Sequence, residues 1–138
     1  VEPATRLAER CFASGSERPD FADELGRSVS RCWVAERDGA LLGYALAWVV
    51  VDRAELMSIA VDPAARGAGV GRALLDHVRA RCGAEGATEL ALEVRASNGP
   101  ARALYASVGL EQIGRRPRYY RDGEDAVTYA CALSRSST

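Results

Sequence analysis

Apolar residues recur along the chain with two distinct periods, and the switches between the periods lay out its elements. Ala4, Leu7, Ala8 and Cys11, then Phe21, Ala22 and Leu25, keep helical spacing, which predicts two short helices over 4–12 and 20–28 with the turn-rich "ASGSERP" between them. The runs "CWVAER" and "LLGYALAWVVV" flank Asp38-Gly39, and an Asp-Gly step between two β-rich runs predicts a hairpin. A third strand, "AELMSIAV", follows a turn at Asp52-Arg53. From Val70 the apolar positions Val70, Leu74, Val78 and Cys82, widened by Ala73 and Leu75, predict a helix to about Gly83 or Gly86. "TELALEV" is the next strand, and Ser97 or Asn98 caps a helix with Pro100 in its first turn. That helix buries Ala101, Leu104, Tyr105 and Val108 and stops at Gly109. Two final strands, about 110–120 and 126–133, pair around "RDGED".

The order α-α-β-β-β-α-β-α-β-β predicts an α/β (α+β) layer structure, a mixed and mostly antiparallel sheet with helices on both faces. A chain of 138 residues fits one domain over 1–138. Its 48% hydrophobic and 27% charged residues place it among globular chains. The longest apolar stretch, residues 40–51, has 12 residues where a bilayer span needs roughly 20, so no contact with membrane is expected. "VEPATRLAERCF" lacks the basic region, apolar block and cleavage site of a secretory signal, and the expected location is the cytoplasm.

Charge and chemistry narrow the function further. A formal net charge of −1 supplies no field for nucleic acid, and the basic run "RRPRYYR" at 115–121 reads as a solvated strand or the rim of an acidic-ligand site. All 18 basic residues are arginine, which excludes a lysine nucleophile or Schiff base. Cys11, Cys32, Cys82 and Cys131 are scattered without zinc or disulfide spacing and are expected to be buried thiols. His77 is the only histidine, and without partner ligands it implies no metal.

The densest signal is "SIAVDPAARGAGVGRALLDHV", residues 58–78, where an apolar run breaks into a loop holding Gly67, Gly69 and Gly71 before a helix resumes. Backbone amides at a helix start lack intrahelical partners and sit at the positive end of its dipole, so anions bind there. Glycines let a ligand approach the main chain and permit the positive φ values that turn successive amides inward. A diphosphate is the natural guest. A nucleotide-triphosphate P-loop needs four residues between its glycines and then Lys-Ser or Lys-Thr, which this loop lacks. A dinucleotide fingerprint puts its glycines straight after the strand, whereas here Asp62 to Arg66 intervene.

What fits is R-x-x-G-x-G at Arg66–Gly71 after a strand ending "AVDP", which resembles the acetyl-CoA pyrophosphate loop of the GNAT superfamily of N-acetyltransferases. "LEVRASNGPARALYASVGL" at 92–110, "SIAVDP" and "YYRDGEDA" at 119–126 resemble, more narrowly, the ribosomal-protein alanine N-acetyltransferases. The resemblance covers roughly residues 32–133 and weakens before residue 30, where the family's first strand and Pro-Trp-Ser segment are not found.

The resemblance implies acetyl-CoA as cosubstrate, Glu93 as general base and Tyr105 as general acid. The chemistry agrees, since an α-amine of pKa about 7.7–8.0 is largely an ammonium ion near neutrality and attacks a thioester only after a base takes its proton. A phenol near the sulfur can protonate the departing thiolate. In the family, main-chain groups of the strand before the loop hold the pantetheine arm and orient the thioester carbonyl, which here implies Ile59, Ala60 and Val61. The loop itself implies Arg66, Gly67, Ala68, Gly69, Val70, Gly71 and Arg72 as CoA ligands, with Asn98 touching CoA where two strands diverge. Tyr119 and Tyr120 resemble a tyrosine pair closing over the acceptor, with Met57 and Ser58 on the opposite wall.

The expected acceptor is the N-terminal α-amine of a ribosomal protein, and the expected assembly a monomer or weak homodimer. Two alternatives stay open: an acetyltransferase for a lysine side chain or small amine, and a non-catalytic acyl-CoA sensor.

Overall fold

Asp38 and Gly39 adopt φ of +52° and +80°, the two positive values a tight hairpin turn requires. They reverse the chain between β1 (Ser30–Arg37) and β2 (Ala40–Val50), as the Asp-Gly step predicts. The computed structural model describes residues 2–12 and 18–134, so most of the turn expected at 13–19 lies outside the described residues. Before the hairpin stand α1 (Glu2–Cys11) and α2 (Phe21–Leu25). After it come β3 (Arg53–Val61), α3 (Val70–Ala84), β4 (Glu89–Arg95), α4 (Gly99–Ser107), β5 (Glu111–Arg116) and β6 (Ala126–Ala132). A short 3-10 turn, Pro63–Ala65, joins β3 to the glycine loop, with the Asp62 carboxylate accepting from the Ala64 amide at 3.0 Å.

The described strands form one sheet in the order β1-β2-β3-β4-β6-β5. Only β3 and β4 run parallel within it; the other neighbours are antiparallel. Side chains alternate across a strand, so Tyr44 and Ala45 on β2 face opposite layers. Ala45 packs in the larger core with Leu74, Leu75 and Val78 of α3, Leu90 and Leu92 of β4, Tyr105 of α4 and its C-cap Val108. Tyr44 packs in the smaller core with Leu7 of α1, Phe21 of α2 and Ala60 of β3. Helices therefore cover both faces. The Phe21 and Tyr44 rings meet edge to face at 5.0 Å, and the Tyr44 hydroxyl pairs with Ser58 Oγ at 2.8 Å. Burial pushes the Tyr44 phenol up to about 12.

Several local expectations change. The helix expected over 20–28 is only Phe21–Leu25: Asp20 caps it, accepting from the Asp23 amide, and Gly26 ends it. One short turn buries Phe21 and leaves Leu25 60% exposed. Ala73, expected to widen the apolar stripe of α3, faces solvent. Among the cysteines only Cys82 is fully buried; Cys11, Cys32 and Cys131 are half-buried, and all four are free thiols. β5 stops at Arg116 rather than near 120, because Pro117 cannot donate to a ladder and Arg118 turns away with φ +54°. Tyr119 and Tyr120 consequently lie on the loop between β5 and β6, not on a strand. No helix among the described residues is long and apolar enough to cross a membrane.

The feature that makes room for a ligand is a fork in the sheet. β3 and β4 pair from Arg53 with Glu89 to Leu56 with Leu92, and then part. At the same place the β2–β3 register slips: Leu46 opposes Ser58 and Ala47 opposes Leu56, so Met57 is an extra residue. Such a bulge bends its strand and breaks pairing on the far edge.

Candidate functional site

The fork opens a cleft of about 850 Å³ whose walls are β3, β4, the glycine loop, α4 and the tyrosine loop. Glu93, Tyr105, Ile59, Ala60, Val61, Arg66, Gly67, Gly69, Val70, Gly71, Arg72, Asn98, Met57, Ser58, Tyr119 and Tyr120 all line it. Ala68 is the exception among the expected residues; it is exposed and does not line the cleft.

At one end of the cleft Gly67 and Gly69 take φ of +84° and +82°, in the left-handed region that a side chain makes costly. Gly69 is the N-cap of α3, and with no side chain to offer it leaves the helix start uncapped. The first helical hydrogen bond runs from the Ala73 amide to the Gly69 carbonyl at 3.0 Å. The amides of Val70, Gly71 and Arg72 therefore precede the intrahelical ladder, at the positive end of a 15-residue helix. Gly71 serves a different end from its neighbours: a Cβ there would stand 3.0 Å from Leu104 Cδ2, so its absence lets α3 and α4 pack closely. Arg72 ties the same two helices, donating to the Ser107 carbonyl at 3.2 Å, while Arg66 reaches Cys11 Sγ at 3.7 Å. An uncapped helix start behind two left-handed glycines fits the diphosphate of CoA. Asn98 caps α4, its Oδ1 accepting from the Ala101 amide at 3.2 Å, while it lines the cleft.

At the fork stands Glu93, one position past the last β3–β4 pair. Its side chain is only 13% exposed. Arg116 Nε lies 2.8 Å from Glu93 Oε2, yet this buried oxygen accepts no aligned hydrogen bond, so the contact is ionic in distance but not directed. Burial first, and then the Glu93 charge, hold the Tyr119 phenol above its ordinary value. Tyr105 is buried on α4, its ring 5.9 Å from that of Tyr129, and burial raises its phenol well above the ordinary range. A phenol so raised stays protonated near neutrality.

Across the cleft the Tyr119 and Tyr120 rings meet edge to face at 5.1 Å. Their loop is tied down by charge. Arg95 bonds Asp122 at 2.7 Å and Glu124 at 3.0 Å, Glu124 also accepts from the Ser97 amide at 2.8 Å, and Arg115 holds Asp125 at 2.8 Å. Met57, the bulged residue, is 42% exposed and Ser58 is buried with its hydroxyl committed to Tyr44. Ser58 thus offers the cleft its backbone more readily than its hydroxyl.

Glu55, Arg95 and Phe12 also line the cleft, and Arg116 touches Glu93; sequence reasoning assigned none of them to the site. The Arg116 contact had one readable trace, since Glu93 opposes Thr128, Thr128 opposes Gly114, and Arg116 lies two residues on along the same face. Reading it required the strand order. His77 lies away from the cleft with its ring edge-on to Trp33 at 5.8 Å. Among the described residues no group of three or more His, Cys, Asp or Glu is gathered as a metal site would need.

Comparison with known proteins places the chain in a family. A [ribosomal protein bS18]-alanine N-acetyltransferase of Escherichia coli K12 is 37% identical over 134 residues, covering 95% of this chain and 90% of the relative. The crystal structure of the ribosomal-protein-S18-alanine N-acetyltransferase from Escherichia coli superposes with a TM-score of 0.85 at 35% identity, over 96% of this chain and 87% of that one. A Bacillus anthracis structure holding acetyl coenzyme A shares the fold at 17% identity and a TM-score of 0.76, over 83% of this chain and 69% of that one. The model of the acetyltransferase (GNAT) family matches residues 2–110, so the likeness extends into the N-terminal helices, further than the motifs alone reach. The chain belongs to the acetyltransferase (GNAT) family.

Proposed function

We propose that the chain transfers the acetyl group of acetyl-CoA to the N-terminal α-amine of a protein, a ribosomal protein above all, by direct attack within a ternary complex. The observation that carries this reading is the fork: a half-buried carboxylate, Glu93, at the point where β3 and β4 part, between an uncapped helix start and a tyrosine loop. The names of the Escherichia coli relatives supply the acceptor class.

In this reading the amides of Val70, Gly71 and Arg72 hold the diphosphate, and the backbone of Ile59, Ala60 and Val61 lays the thioester along β3. Acetyl-CoA brings the activated acyl group. Glu93 removes a proton from the acceptor ammonium, directly or through one water, and the freed nitrogen forms the amide bond as the carbon–sulfur bond breaks. Tyr105 gives its proton to the departing sulfur, and the second proton shed by the attacking nitrogen restores the phenol. Tyr119 and Tyr120 close over the acceptor chain opposite Met57. One net proton leaves with the products.

The test is thiol release from acetyl-CoA with a panel of acceptors: a peptide with a free N-terminal alanine, the same peptide blocked, lysine peptides and small amines. Turnover confined to the free α-amine supports the reading. Turnover of lysine peptides or small amines instead, or tight CoA binding with every acceptor inert, overturns it.

A further inference from the structure

Glu93 and Arg116 form a mismatched pair. The carboxylate is inside the cleft, 13% exposed, with Oε2 buried and accepting no aligned hydrogen bond. The guanidinium reaches in from outside, 63% exposed, from β5, a sheet-edge strand exposed along its whole length. Contacts between a charge and so exposed a partner are weak, because solvent screens them and a long side chain must be held still. The pair is close enough to block the oxygen and loose enough to be broken.

An acceptor α-amine arrives at the cleft mainly as an ammonium ion. It carries the same charge as Arg116 and needs the same carboxylate oxygen. We propose that Arg116 is a gate: its guanidinium holds the place at Glu93 that the acceptor ammonium takes, and acceptor binding exchanges one cation for the other. This rests on Glu93 being the base. The displaced guanidinium has somewhere to go, since it already lies 5.8 Å over the Tyr119 ring, within cation–π range of an aromatic face. Arg116 is thus a positioning residue that stays out of the chemistry and keeps a cation beside the half-buried Glu93 carboxylate when no acceptor is present. It also selects: a group without a positive charge does not compete for Glu93, whereas an ammonium ion held additionally by the tyrosine loop does.

The experiment compares wild-type protein with R116Q, R116K and E93Q, using acetyl-CoA and a peptide with a free N-terminal alanine. R116Q lowers the peptide KM about 2- to 5-fold, the range a weak ion pair represents, with a smaller change in kcat and in acetyl-CoA affinity. R116K keeps the cation and returns KM toward the wild-type value. In the E93Q background, where there is no carboxylate to contest, R116Q no longer tightens peptide binding measured by calorimetry. A peptide KM that is unchanged or higher in R116Q, with or without a fall in Tm, overturns the gate. Failure of the base reading shows separately, as undiminished turnover by E93Q alone, and failure of the acceptor reading as no turnover of the peptide by the wild type.

Discussion

The Arg95 guanidinium lies 4.2 Å over the Tyr120 ring while it bonds Asp122 and Glu124 from the loop beyond. One β4 side chain therefore both stacks on a tyrosine of the candidate acceptor wall and fastens the segment that follows it. Its side chain is 18% exposed, so the stacking is partly shielded from solvent. Replacing Arg95 with Ala removes the stack, at about 0.5–1 kcal/mol, and frees the loop. The expected outcome is a Tm lowered by about 2–4 °C and a peptide KM raised several-fold with acetyl-CoA affinity kept. Equal losses of donor and acceptor affinity would contradict this division of labour.

Acid should release the same loop. The Glu124 amide, then Arg95, lower the Asp122 carboxyl, contacts with Ser97 and then Arg95 lower Glu124, and Arg115, then the Arg118 amide, lower Asp125. A carboxyl depressed in the folded state stabilises it above the ordinary value, here 3.8 for Asp and 4.5 for Glu, and loses that contribution as pH falls through the folded value. Amide exchange over residues 118–125, corrected for intrinsic rates, should be protected at pH 6 and markedly less so at pH 3. Protection that persists at pH 3 would mean that the loop is held by packing alone.

Glu93→Gln should lower turnover by about 10²–10⁴-fold, the range of general base catalysis, with acetyl-CoA affinity nearly unchanged. Tyr105→Phe removes only the hydroxyl from a buried, well-packed ring, so the fold is expected to persist while release of the thiol slows. Rates equal to wild type across pH would reduce Tyr105 to a packing residue.

Gly69 and Gly71 answer to different physics and should respond differently to alanine. At Gly69, φ +82° with open space around it, the cost of alanine is backbone strain of about 1–2 kcal/mol, and relief of that strain distorts the amides that face the cleft. Acetyl-CoA affinity is expected to fall about 10-fold or more. At Gly71 the new methyl crowds the end of a flexible Leu104 side chain at 3.0 Å and meets Val61 Cγ2 at an ordinary 3.6 Å, so calorimetry should find a smaller loss of affinity. Equal losses at both would place them in a single role.

What could be read in advance tracks how local its cause is. The hairpin at Asp38-Gly39, the stripe of α3 and the glycine loop follow from dihedral preference and period, which neighbouring residues decide. The extent of α2 depended on caps a few residues away, because the apolar spacing of Phe21, Ala22 and Leu25 does not say that a helix is one turn long. Tyr119 and Tyr120 looked like strand residues until Pro117 and the left-handed Arg118 ended β5. The glycine loop, Glu93, Tyr105 and Asn98 were legible as candidates because each belongs to a motif. Arg116 beside Glu93 and Arg95 over Tyr120 join residues through strand order and loop folding, which no short stretch encodes.

The fork has a mechanical consequence. Within the sheet, the β1-β2-β3 half is joined to the β4-β6-β5 half at only four paired positions, from Arg53 and Glu89 to Leu56 and Leu92, while the larger core packs against both. A long, narrow molecule laid in the opening grips both halves at once and acts as a stitch across the seam. Saturation with such a guest at 100 times its Kd adds about 2.7 kcal/mol to folding stability. The protection should appear along β3 and β4 beyond the last shared pair, so that the tension of the seam itself reports whether the cleft is filled.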